Sequence, residues 1–144
     1  MAVPSGEAGL TLIEMIVVLA IIALIAALIV PNVIGRPDQA RVTVARTDLR
    51  TISAALKMYR LDNGSYPTTE QGLAALAARP AGGPAPANWS PGGYLEQVPE
   101  DPWGRPYGYT SDGEGGAGFE ILSLGKDGKP GGEGVDEDLR IAGR

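Results

Sequence analysis

LTLIEMIVVLAIIALIAALIV, residues 10–30, is apolar throughout except at Thr11 and Glu14. About 20 such residues are what a helix needs to cross the hydrocarbon core of a bilayer. A cleaved secretory signal is the competing reading. It would have a shorter apolar run, cationic residues before it and a small-residue cleavage site after it. Here Pro31 and an amphipathic pattern follow instead, so the segment predicts a retained membrane helix. A carboxylate inside such a span costs about 2.5–3.5 kcal/mol at the centre and less near the interface. Glu14, one turn from the helix start, either reaches up to the headgroups or meets a cation from another chain. An ion pair at ~4 Å gains about 4 kcal/mol at an effective dielectric near 20, comparable with that cost. A buried Glu14 is therefore tolerable once paired, which favours assembly over the isolated chain.

The composition removes several chemistries. The 144 residues carry a formal net charge of -5 and contain no Cys and no His. There is no basic footprint for nucleic acid. Thiol nucleophiles, imidazole-based triads and the usual zinc and haem ligands are absent from the sequence. So are disulfides, and a small exported domain then needs another staple. No P-loop pattern occurs, so any ATP-driven step belongs to a different protein.

Outward from the apolar run, Pro31 lacks an N–H and crowds the carbonyl of Ala27, which predicts a kink there. Gly35 and Pro37 form a second weak point. Beyond Pro37, Val42, Ala45, Leu49, Ile52, Leu56 and Tyr59 recur at 3-4-3-4-3 spacing, one face of an amphipathic helix. Packing on the chain's own sheet is the expected use of that face, with coiled-coil pairing the alternative. Arg41, Asp48, Arg50, Lys57 and Arg60 fall on the opposite, solvated or intersubunit side. Asn63-Gly64 ends the helix. The whole rod from Leu10 to about Asp62 would extend roughly 80 Å.

In YPTTEQGLAALAARP, Thr68 and Gln71 have the spacing of a capping box and predict a short helix, ended by Pro80. The glycine- and proline-rich AGGPAPANWSPGG is a connection without periodicity. Strands are expected at 107–110 and 119–122, as a small antiparallel sheet. Trp89, Tyr94 and Trp103 read as domain core, with a sugar-stacking face as the weaker alternative. The final SLGKDGKPGGEGVDEDL sets Asp127, Glu133, Asp136, Glu137 and Asp138 among glycines. It is either a mobile acidic tail or a calcium loop. Calcium takes six to eight oxygens from carboxylates and backbone carbonyls, and a bound ion would tie the tail to the sheet.

GLTLIEM resembles the processing signal of type IV pilin-like proteins. The resemblance implies cleavage by a membrane prepilin peptidase between Gly9 and Leu10, with N-methylation of Leu10. Residues 1–9 would be a leader and Glu14 the assembly carboxylate, with Thr11 and Pro31 part of the same assembly segment. The new α-amine of a neighbouring subunit is then the cation that meets Glu14. LDNGSYPTTEQGL, DPWGRPYGY and SLGKDGKPGGEG, in this order, resemble the major-pseudopilin family of the type II secretion system, over most of the chain. That resemblance implies an α+β, pilin-like fold. Residues 10–34 would be the transmembrane and assembly helix, 35–64 its amphipathic half, and 65–144 a globular part with a calcium loop at about 123–139. The implied calcium ligands are Asp127, Asp136 or Asp138, and the carbonyls of Leu124 and Lys129.

The function so implied is that of a major structural subunit of the pseudopilus, polymerising from the inner membrane to drive export of folded proteins across the outer membrane. Its partners would be copies of itself, minor pseudopilins, the inner-membrane assembly platform with its ATPase, and the prepilin peptidase. A type IV pilin for adhesion or motility is the alternative, though such pilins more often carry a C-terminal disulfide loop. A membrane-anchored hydrolase using paired acids has no positioned acid–base pair to support it. Arg36, Arg41, Arg46 and Arg50 after the span would by themselves place that side in the cytoplasm. The resemblance implies the opposite, a C-terminal domain in the periplasm.

Overall fold

The computed structural model describes residues 9–33, 36–112 and 117–144, with the side chains of 29–36 left aside. The chain divides into two compact units, Met1–Pro37 and Asp38–Arg144.

In the first unit, helix α1 spans Leu12–Val33. Thr11 starts it as an N-cap: its Oγ1 accepts from the backbone N–H of Glu14 at 3.3 Å, which satisfies one of the free donors of the first turn. The helical assignment passes through Pro31 without a break. From Leu12 to Leu28 every residue is exposed, including Leu12 at 79%, Leu24 at 65% and Leu28 at 70%. The apolar residues thus lie all around the helix, and no face is set aside for a private core. The backbone of α1 is 22 residues long, about 33 Å, but its described side chains stop at Leu28. Among the described residues no helix is long and apolar enough to cross a membrane. The expected weak point at Gly35 and the leader up to Ala8 lie outside the described residues.

The second unit is built on helix α2, Arg36–Asn63. Ala45, Leu49, Ile52, Leu56 and Tyr59 are buried and Val42 packs against them. These are the residues of the expected stripe, and they pack on the chain's own domain. The opposite face departs from expectation at two places. Asp48 accepts from Tyr107 Oη at 3.0 Å, and the Arg60 guanidinium sits 5.1 Å from the Tyr66 ring centroid. Both are therefore partly drawn into the fold, while Arg41, Arg50 and Lys57 are exposed. At the C-terminus of α2, Gly64 N–H donates to the carbonyl of Arg60 at 2.7 Å.

The capping box forms as its spacing predicted. Gln71 N–H donates to Thr68 Oγ1, and Thr68 N–H to Gln71 Oε1, each at 3.1 Å. The helix expected after it does not develop beyond a 3₁₀ turn, Leu73–Leu76. Gly72 interrupts it with φ 61° and ψ -167°, a conformation open essentially to glycine alone.

Strands β1 (Gly108–Ser111), β2 (Phe119–Ser123) and β3 (Leu139–Gly143) form an antiparallel sheet in the order β1-β2-β3. The first two lie where alternation placed them, β1 shifted by one residue and β2 extended by one at its end. The third went unread because it follows directly on the acid-rich segment. Ile121 stands opposite Tyr109 on one side and Ile141 on the other. Phe119, Ile121 and Leu139 belong to the same core as the α2 stripe. Tyr94 stacks obliquely on Tyr59 with centroids 5.3 Å apart, and Trp89 Nε1 donates to the carbonyl of Ala75 at 2.9 Å. Trp103 also packs against the core. All three aromatics are thus partly buried in the domain, in line with the core reading.

Candidate functional site: an assembly helix and an oxygen-rich loop

Two places carry the residues singled out in the sequence. The first is the start of α1. Gly9, Leu10, Thr11 and Glu14 are all exposed there, and among the described residues Glu14 has no ion-pair partner within the chain. Thr11 has a local duty that sequence reasoning missed, the N-cap just described. The signal was available: Thr11 and Glu14 are three apart, the spacing of a capping box. For Pro31 only the helical backbone is described.

The second is the segment 124–138, which leaves β2 and returns as β3. It is held at both ends rather than trailing as a tail. Lys126 N–H donates to the carbonyl of Val135 at 3.0 Å, closing the loop, and Asp136 N–H donates to Glu133. Asp127 Oδ1 accepts from Lys129 N–H at 2.9 Å. Asp138 Oδ2 accepts from Gly131 N–H at 3.1 Å and from Arg140 Nη2 at 3.0 Å. These contacts, the Gly131 amide first, hold the Asp138 carboxyl below the usual carboxylate range. A third tie reaches α2: Lys126 Nζ lies 2.8 Å from Asp38 Oδ2. The Lys126 hydrogen bond is the main cause of a lowered Asp38 pKa.

The donor chemistry of this loop suits a hard cation. Among the described residues Asp138 Oδ1 is buried with no hydrogen-bond partner, an uncommon and costly state for a carboxylate oxygen. The backbone folds back so closely that a Cβ at Gly125 or Gly132 would collide with the carbonyl of Asp136. Carbonyl oxygens are thereby gathered where only glycine leaves room. Among the described residues no three acids converge as a metal cluster. A cation here would take two carboxylates and fill the rest of its shell with carbonyls, which calcium accepts. Asp127 and Asp138 each place a carboxylate in this loop, and Leu124 and Lys129 belong to the same loop. Asp136 lies in a 3₁₀ turn, Gly134–Asp136.

One contributor was not read from the sequence. In DPWGR, Asp101 is buried and organises a tight turn. Its Oδ1 accepts from the N–H groups of Trp103 (3.1 Å) and Arg105 (2.8 Å), and its Oδ2 from Ser123 Oγ (3.2 Å). That turn delivers the Arg105 guanidinium onto the carbonyls of Gly125 and Lys126.

The geometry is matched by likeness to known proteins. The sequence pattern described as "Type II secretion system (T2SS), protein G" matches residues 32–142, and that of the "Prokaryotic N-terminal methylation motif" matches residues 4–30. The chain belongs to the type II secretion system protein G family. The core protein G of Pseudomonas aeruginosa is 53% identical over 133 residues, covering 92% of this chain and 93% of that one. That of Vibrio cholerae is 44% identical, covering 92% and 90%. Among solved structures, the major pseudopilin of the type 2 secretion system of enterohaemorrhagic Escherichia coli superposes with a TM-score of 0.62 at 41% identity. The match covers 76% of this chain and 93% of that one. The α+β arrangement of a long N-terminal helical segment and a small antiparallel sheet is therefore the pilin-like fold of the protein G family.

Proposed function

We propose that the chain is the major structural subunit of the type II secretion pseudopilus, a non-enzymatic protein that polymerises from the inner membrane. The observation that carries this reading is α1: a helix apolar on every side, exposed along its described length, with one acid near its head. Exposed apolar surface on that scale marks a membrane or protein contact. Its capped start leaves the Glu14 carboxylate free for a partner. Membership of the protein G family favours this reading over a type IV pilin for adhesion or motility.

In this account prepilin peptidase cuts between Gly9 and Leu10 and methylates the new amine. The processed subunit rests in the inner membrane with α1 in lipid and the second unit in the periplasm. Transfer to the filament exchanges lipid for the helices of sister subunits, and Glu14 pairs with a neighbour's Leu10 amine. Minor pseudopilins, the assembly platform and its ATPase supply initiation and energy. Growth of the filament drives folded proteins across the outer membrane.

Calcium belongs to the same proposal as a staple for the 124–138 loop. Asp127 and Asp138 would hold it, with the carbonyls of Leu124 and Lys129. The orphaned Oδ1 favours Asp138 over Asp136 as the second carboxylate. A bound ion supplies attraction to oxygens that otherwise repel one another, coupling the loop's order to metal. Mass spectrometry of the membrane-purified protein tests the processing step directly. The expected mass is that of a chain beginning at methylated Leu10; an uncut, unmethylated chain in cells with an active peptidase would overturn it.

A further inference from the structure

The 124–138 loop has a cation of its own. Arg105 Nη2 donates to the carbonyls of both Gly125 and Lys126. On its other side, a Cβ at Gly128 would run into Arg105 Nη1, so the guanidinium lies in the concave side of the 125–128 turn. Gly128 itself has φ +68°, the left-handed conformation that lets the chain bend around it. The charge is balanced from behind. Arg105 Nε stands 3.5 Å from Asp101 Oδ2, and the Asp101 side chain is 2% exposed. Asp101 is in turn fixed by three hydrogen bonds from the 101–105 turn and from Ser123 on β2.

A planar guanidinium with donors on adjacent carbonyls does locally what a bound metal does: it gathers backbone oxygens around positive charge. We propose that Arg105 is a built-in cation that braces the first half of the loop, alongside any bound metal. It also divides the loop. The carbonyls of Gly125 and Lys126 accept from Arg105, and they are distinct from the oxygens of Leu124, Asp127, Lys129 and Asp138 proposed for the metal. The inference rests on these contacts alone and stands whether or not the calcium reading holds. Its consequence is that part of the loop's order comes from Arg105 and is separable from any contribution of metal.

Hydrogen exchange of the detergent-solubilised full chain in chelator tests this at the Lys126 and Asp136 amides, which close the loop. Arg105→Met keeps the apolar stem and removes the charge; Arg105→Lys keeps the charge and removes the fork. The Met variant should exchange at these amides about tenfold faster or more, as loss of a charged hydrogen bond implies. The Ile52 and Leu56 amides of α2 should stay as in the parent, and the Lys variant should fall between parent and Met. Should the Met variant not fold, Arg105→Gln takes its place in the comparison. Loop amides that exchange at the parent rate without the guanidinium would overturn the proposal. So would a Lys variant no slower than the uncharged one. Calcium titration of the parent by calorimetry is separate: no heat there removes the calcium reading and leaves Arg105 untouched.

Discussion

Tyr107 and Tyr109 show how single groups tie the second unit together. Tyr107 Oη donates to Asp48 on α2, and Tyr109 Oη donates to the carbonyl of Pro67 at 2.7 Å. Burial pushes both phenols well above their ordinary pKa, and for Tyr107 the neighbouring Asp48 carboxylate adds to the shift. Both therefore keep their protons longer in the folded chain than in the unfolded one. Their stabilising effect is complete below about pH 10, where both states are protonated. It declines as pH rises past that value, because the unfolded chain loses its protons first. Denaturant melts should thus show stability falling above pH 10, and Tyr107→Phe should make that fall shallower. At neutral pH the same substitution leaves Asp48 without its donor. A loss of about 1–3 kcal/mol is expected in a chemical-denaturation experiment; a neutral result would mean that the Asp48 contact carries nothing.

Helix α2 divides its two faces between private and outward use, and substitution should tell them apart. Leu56 is fully buried while Val44 is 51% exposed. Leu56→Ala should cost about 2–5 kcal/mol, and Val44→Ala should stay within about 0.5 kcal/mol in the monomeric unit. Equal effects at the two positions would contradict the assigned face. The buried stripe was legible in the sequence because its spacing is periodic over five turns and no competing signal interrupts it. The 3₁₀ turn at 73–76 was misread as a helix because the capping box at Thr68 and Gln71 is a real start signal. Gly72 overrides it only through a backbone conformation that spacing does not reveal. Strand β3 was missed for a related reason. LRIAG alternates as a strand should, but it is short, follows a run of acids, and gains its status from pairing with β2. Arg105 could not be assigned from sequence at all, since its meaning depends on a turn organised by a buried Asp101 and on carbonyls some twenty positions away.

At the scale of the whole molecule, two units of opposite character share one chain. The second has its own core and sheet, and the 124–138 loop closes it. Chelation of calcium should lower the thermal midpoint of a fragment beginning near Pro37, read by circular dichroism. No shift on chelation would remove the ion from the account. Among its described residues the first unit has no core to fold around. In the proposed account lipid or sister helices cover α1, and Glu14 would set the preference between them, since its charge is costly in hydrocarbon and would be matched beside a neighbour's amine. Electron microscopy of pseudopili from cells producing Glu14→Ala tests this most directly, with membrane fractionation as the control for insertion. The account requires normal insertion and no filaments; filaments of ordinary length and number from that variant would contradict it.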